Sequence, residues 1–242
     1  MADKKSLSND TPMLKVQDLH SWYGESHILH GITFEVKEGE IVTLLGRNGA
    51  GRTTTLRAIL GMTDRCTGKI EVNGHDVFAI PEHRIAHLGI GYCPEERGIF
   101  AGLTTEENLN LLPVVAEGGM SMEEIYTMFP NLKERAGSLG TRLSGGEQQM
   151  LAMARILRTG ARLLLLDEIT EGLAPVIVQR LSDVIMQLRN RGFTIVLIEQ
   201  NFRFAAPLAD RHYVIERGRV IETINRDELE SKQQLLDELL AV

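Results

Sequence analysis

The chain has 242 residues, 43% of them hydrophobic and 24% charged, which suits one large globular domain or a core carrying a smaller lobe. With 33 acidic against 26 basic residues its net charge is −7, which argues against a dedicated nucleic-acid binder but leaves room for a local site for one nucleotide. Two cysteines, Cys66 and Cys93, with no C-x-x-C pair argue against a disulfide framework or a structural zinc site.

Residues 1–12 begin MADKKSLSND, polar and without an apolar h-region, and are read as a mobile tail rather than a secretory signal. From residue 13 to 242 the pattern is that of a single domain. Residues 14–19 alternate apolar and polar and predict a strand, as do residues 32–36 before the turn Glu38-Gly39-Glu40. Residues 41–45, 163–166 and 194–198 are almost continuously apolar, the pattern of strands buried on both faces in a parallel sheet. Residues of about 100–150 read as mostly helical, with Gly-rich breaks at Gly118-Gly119 and Gly145-Gly146, and suggest a helical lobe inserted in an α/β core. Val178, Leu181, Val184, Ile185 and Leu188 share one helix face, and Pro175 sits where a first turn tolerates proline. Residues 226–242 predict an amphipathic helix with Leu229, Leu235, Leu236, Leu239 and Leu240 on its apolar side. The longest apolar runs fall far short of the ~20 residues that span a bilayer, so any membrane role is expected to work through partners.

Directly after the run 41–45 stands Gly46-Arg47-Asn48-Gly49-Ala50-Gly51-Arg52-Thr53, which follows the phosphate-loop template G-x-x-x-x-G-K-[ST] except that Arg52 replaces lysine. Glycines let such a loop curl so that its N–H groups point at phosphate oxygens, and the helix starting near Arg52 adds its positive end. The Thr53 hydroxyl is placed to ligate Mg²⁺. By itself the loop is equally a Gly-rich turn that binds nothing. The strand 163–166 ends in Asp167, the expected Mg²⁺ partner, and Glu168, placed to polarise an attacking water as general base. Between the two lies Leu143-Ser144-Gly145-Gly146-Glu147-Gln148-Gln149, whose S-x-x-E start resembles a capping box.

LSGGEQQ resembles the signature of the ABC ATPase family, and its place between phosphate loop and acidic strand matches that family's order. The resemblance covers residues of about 13–225. It implies an α/β fold with a P-loop (RecA-like) core and mostly parallel sheet, an antiparallel β portion near the N-terminus and an inserted helical lobe. It further implies ATP and Mg²⁺ as ligands. Gly46, Asn48, Gly49, Ala50, Gly51, Arg52, Thr53 and Thr54 would hold the phosphates, and Tyr23 would stack on adenine. Thr53, Asp167 and Glu95, the last at the position of the Q-loop glutamine, would hold the metal. Gln200 occupies the switch position where histidine is usual; its amide can donate to a γ-phosphate oxygen but cannot take up a proton and a charge as histidine can. Ser144, Gly145 and Gly146 would face the γ-phosphate held by a second ATPase subunit, sibling or identical, in a head-to-tail dimer. Glu171-Gly172-Leu173-Ala174 occupies the D-loop.

Pro94-Glu95, Glu199-Gln200-Asn201 and Gly172-Leu173-Ala174-Pro175 resemble the ATPase subunits of branched-chain amino acid importers, with relatives that serve urea and short amides. Arg52 and Ile169 depart from that subgroup. The implied partners are integral membrane permease subunits and, indirectly, a solute-binding protein; the implied place is the cytoplasmic face of the inner membrane. Arg52 leaves two readings open: ATP hydrolysis that powers transport, or an ATP-dependent dimerisation switch with weak turnover. Single copies of each motif set the chain apart from soluble tandem ABC proteins. His27, His30, His75, His83 and His87 show no metal-like constellation and are read as surface or satisfied residues.

Overall fold

Strands that are apolar on both faces need cover on both faces, and the fold supplies two separate cores for them. The computed structural model describes residues 12–240, so nearly all of the expected tail lies outside the described residues. The chain begins with β1 (Leu14–Tyr23), β2 (Ser26–Val36), β3 (Ile41–Leu45), α1 (Arg52–Ile59), β4 (Arg65–Val72), β5 (His75–Asp76) and β6 (Ile90–Cys93). A helical stretch follows: α2 (Thr105–Leu111), α3 (Met122–Met128), α4 (Pro130–Glu134) and α5 (Gly145–Arg158). The rest alternates: β7 (Leu163–Asp167), α6 (Pro175–Asn190), β8 (Thr194–Ile198), α7 (Phe202–Ala205), β9 (Arg211–Glu216), β10 (Arg219–Asn225) and α8 (Gln233–Leu240).

The six-stranded sheet has the order β10-β9-β3-β8-β7-β6, parallel except for the β10–β9 pair. A second sheet, order β2-β1-β4-β5, is antiparallel throughout. Alternation along each central strand divides its side chains between the two cores. Ile41, Leu164, Leu166, Ile195 and Leu197 face a core shared with α5 and α6. Val42, Leu44, Leu163, Leu165, Val196 and Ile198 face one shared with α1 and the antiparallel sheet. Each such leucine, isoleucine or valine contributes roughly 2 kcal/mol by leaving water.

The helical stretch is anchored by three capping boxes, Thr104 with Glu107, Ser121 with Glu124 and Ser144 with Glu147. The helix α5 runs eight residues past 150 to Arg158, because Met150–Leu157 is buried in the first core. The helix expected over residues 226–242 is shorter. Asn225 and Glu228 close a separate 3-10 turn over Arg226–Glu228, and α8 starts only at Gln233. Leu236 is fully buried in a small third core with Leu45, Val214 and Ile224, whereas Leu235 is exposed and does not belong to the apolar side.

Candidate active site

Strands β3, β8 and β7 are neighbours, and their carboxyl ends open on one cleft of about 440 Å³. Such a crevice at the carboxyl edge of a parallel sheet is where this architecture places ligands. Gly51 is the N-cap of α1 with a φ of 108°, which suits glycine alone. A Cβ on Gly46 would stand 2.3 Å from the Ile215 carbonyl oxygen, so glycine is required there by close approach.

Of the predicted residues, Tyr23, Asn48, Gly49, Gly51, Arg52, Thr53, Thr54, Glu95, Glu168 and Gln200 line this cleft. Gly46, Ala50 and Asp167 do not; Asp167 is buried behind Thr53. The Ala50 N–H turns away from the inward aim expected of the loop, donating instead to the Arg47 carbonyl at 3.0 Å, and the Ala50 carbonyl accepts from Gly218 N–H. Ser144, Gly145 and Gly146 also lie outside the cleft, at the start of α5. A Cβ added at Gly145 would meet the Arg97 guanidinium at 3.2 Å, and one at Gly146 the Ile177 side chain at 2.9 Å, so both positions favour glycine. The Ser144 hydroxyl caps α5 by accepting from Glu147 N–H at 3.3 Å.

The Arg52 side chain is 4% exposed and spends its donors inside the protein. Nη2 donates to Glu168 Oε1 at 2.9 Å and to Asn48 Oδ1 at 3.2 Å, and Nη1 donates to the Glu199 carbonyl at 3.1 Å. Gln200 Nε2 donates to the other Glu168 oxygen at 2.6 Å. Both carboxylate oxygens of the expected base are therefore engaged. A lysine has no fork with which to make this set of contacts.

Beside them, Thr53 Oγ1 donates to Asp167 Oδ1 at 3.1 Å. Tyr92, which sequence reasoning did not single out, donates its hydroxyl to Asp167 Oδ2 at 3.2 Å. Burial raises the Asp167 carboxyl above the usual carboxylate range, against the lowering effect of these two hydroxyls. A hydroxyl and a carboxylate side by side form a hard oxygen donor pair that fits Mg²⁺. Glu95 lines the same cleft as Thr53. Among the described residues the one group of three ligating side chains is Glu95, Glu168 and Glu171, whose carboxylates lie within 4.8 Å of one another.

Two further buried residues escaped the sequence reading. Glu199 is 3% exposed and accepts from Thr170 N–H at 3.1 Å and from Thr170 Oγ1 at 2.7 Å. Burial pushes its carboxyl up to about 7. Nothing in the period or motifs marked Thr170 and Glu199 as partners, because they are 29 residues apart and meet only through sheet pairing. Away from the cleft, His20 and His27 stack on Trp22 on the first sheet, with Trp22 and His27 ring centroids 4.2 Å apart, and the His30 ring lies tilted against His27. His20 Nδ1 and His27 Nε2 lie 3.1 Å apart, within hydrogen-bond distance, and Arg97 donates to Gln148 at 2.7 Å.

The parallel sheet, the loop ahead of α1 and the acidic end of β7 define a phosphate-loop nucleotide hydrolase. A family model described as ABC transporter matches residues 29–171. The chain is 42% identical over 212 residues to the high-affinity branched-chain amino acid transport ATP-binding protein BraG of Pseudomonas aeruginosa, covering 86% of this chain and 91% of the relative. It is 37% identical to the probable branched-chain amino acid transport ATP-binding protein LivF of Archaeoglobus fulgidus (86% and 90% covered). It is 32% identical to the lipopolysaccharide export system ATP-binding protein LptB of Haemophilus influenzae (92% and 95% covered). Among solved structures, an ATP-binding subunit of an ABC transporter superposes with a TM-score of 0.78 at 29% identity, covering 94% of this chain and 97% of that one. A dimeric ATP-binding cassette bound to ADP and Pi shares the fold, with a TM-score of 0.77 at 24% identity over 88% of this chain and 99% of that one. The chain belongs to the ABC transporter family and is an ATPase of that family.

Proposed function

We propose that this chain hydrolyses ATP to power an importer for branched-chain or other hydrophobic amino acids or related small polar solutes. The likeness to BraG and LivF supports the solute class, as do Glu95, Gln200 and the stretch Gly172-Leu173-Ala174-Pro175. The observation that carries the catalytic part is the convergence of Thr53, Glu168 and Gln200 on one cleft, with the buried Asp167 carboxylate accepting from Thr53.

In this reading Tyr23 stacks on adenine, the phosphate loop from Gly46 to Thr54 cradles the phosphates, and Thr53, Asp167 and Glu95 hold Mg²⁺. Bound Mg²⁺ would neutralise charge on the phosphate oxygens. Glu168 accepts a proton from the water whose oxygen attacks the γ-phosphorus, and ADP departs. Gln200 donates to a γ-phosphate oxygen. Ser144, Gly145 and Gly146 of a facing ATPase subunit, identical or sibling, close the site from the other side in a head-to-tail dimer. Hydrolysis removes that bridge, and the opening dimer moves permease subunits at the cytoplasmic face of the membrane, with a solute-binding protein acting beyond them. No helix among the described residues is long and apolar enough to cross a membrane, which agrees with a peripheral role.

Mg²⁺-dependent phosphate release from ATP by the purified chain tests the reading, with Glu168→Gln as control. Turnover that disappears in the control supports it; tight ATP binding with no turnover in the native chain overturns the catalytic part.

The Arg52–Glu168 contact favours a second reading, an ATP-dependent dimerisation switch, because a base held by a guanidinium is not free to take a proton. Under that reading Arg52→Lys raises kcat at least tenfold, whereas an unchanged or lower kcat rules it out.

A further inference from the structure

Glu168 stands in a backbone conformation that side chains avoid, with a φ of 47°. Such residues are strained and persist only where their surroundings hold them. On the near side the hold is visible: Glu168 N–H donates to the Ile198 carbonyl at 2.9 Å, and its carboxylate is gripped by Arg52 and Gln200. On the far side the turn runs through Ile169 to Thr170. There both Thr170 donors, N–H and Oγ1, end on the Glu199 carboxylate.

Glu199 thus reaches three parts of the site. Its side chain pins the turn that carries Glu168, its carbonyl holds Arg52 at 3.1 Å, and its neighbour Gln200 grips Glu168 directly. A carboxylate at 3% exposure is costly to keep, and no cation is paired with it among the described residues; its two bonds both go to Thr170. An apolar residue would fill that space at lower cost but could not accept from two donors at once.

We propose that Glu199 is a positioning residue for catalysis, which acts through Thr170 to hold Glu168 in its left-handed conformation at the cleft. The inference rests on the reading of Glu168 as general base. It carries a distinct signature, because ATP is bound by other residues: loss of the Glu199–Thr170 contact reduces the chemical step and leaves nucleotide affinity in place.

The test is steady-state phosphate release by the full chain with saturating Mg²⁺-ATP, together with nucleotide affinity and thermal stability. The variants are Thr170→Val, Thr170→Ser, Glu199→Leu and, in parallel, Glu168→Gln. Thr170→Val and Glu199→Leu are expected to lower kcat about tenfold or more, as small displacements of a catalytic group do, with KM for ATP within about threefold of the native value. Thr170→Ser restores the hydroxyl and is expected to recover most of the rate lost in Thr170→Val. The proposal is overturned if Thr170→Val folds with native kcat, if kcat and KM change together, or if Thr170→Ser is as slow as Thr170→Val. Should Glu168→Gln leave native turnover intact, the base assignment itself fails. Should Glu168→Gln abolish turnover while Thr170→Val does not slow it, only the positioning role fails.

Discussion

Arg52 and Glu168 form an ion pair at 2.9 Å with side chains only 4% and 10% exposed, tying the phosphate loop to the end of β7. Removing one partner of a buried pair leaves the other charge uncompensated, typically at about 3–5 kcal/mol. Arg52→Met is therefore expected to lower the unfolding free energy in urea by about 3 kcal/mol. Glu168→Gln is expected to lose less, since the amide oxygen still accepts from Arg52. Losses that simply add in the Arg52→Met, Glu168→Gln double variant would show that the pair is not a unit of stability.

The Thr53–Asp167 pair makes a metal-linked prediction. ATP at a hundred times its dissociation constant stabilises a protein by about 2.7 kcal/mol, or roughly 5–10 °C for a chain of this size. With Asp167→Asn, the part of that shift that depends on Mg²⁺ is expected to vanish, while the shift from ATP alone remains. Thermal scans with ATP, with and without Mg²⁺, read it directly.

His212 predicts a pH dependence. Its imidazole is fully buried against Thr43 Oγ1 at 2.6 Å, and burial lowers its pKa to about 4, with the Arg226 charge adding to the effect. The folded value lies below the unfolded one near 6.5, so between the two the unfolded chain binds the extra proton. Stability from this group is therefore complete above pH 6.5 and is lost as the pH falls towards 4. His212→Asn is expected to cost stability at pH 7.5 but to flatten the fall between pH 6.5 and 4. A slope unchanged by the substitution would remove His212 as its source.

Two glycines should resist alanine for steric reasons. At Gly46 the new methyl would stand 2.3 Å from a backbone oxygen, and at Gly146 it would meet Ile177 at 2.9 Å. Overpacking of this kind costs about 1–3 kcal/mol, and Gly46→Ala is expected at the upper end because a carbonyl cannot rotate away as a side chain can. Ile177→Ala should rescue Gly146→Ala, as a double-mutant cycle would show.

Much of the architecture was legible in local pattern. The runs at residues 41–45, 163–166 and 194–198 are apolar on both faces, and a strand of that kind has nowhere to go but the middle of a covered parallel sheet. The cap at Ser144 and the start of α6 at Pro175 were equally local, because a cap or a first-turn proline concerns residues three or four apart. The last helix was misjudged in extent: its leucine spacing gave no sign that Asn225 and Glu228 would close a separate turn first.

The site divides the same way. Spacing and order singled out Gly46–Thr54, Asp167 and Glu168, since phosphate binding demands glycine, hydroxyl and carboxylate at set intervals along the chain, whereas Gln200 and the Ser144–Gly146 stretch came from the resemblance to the ABC ATPase family. The tertiary structure alone decided what Arg52 does with its charge, that Tyr92 reaches Asp167, and that Glu199 and Thr170 are partners. Those contacts join residues 29 to 116 positions apart, and they depend on which strands lie side by side and on where burial leaves a polar group only one partner.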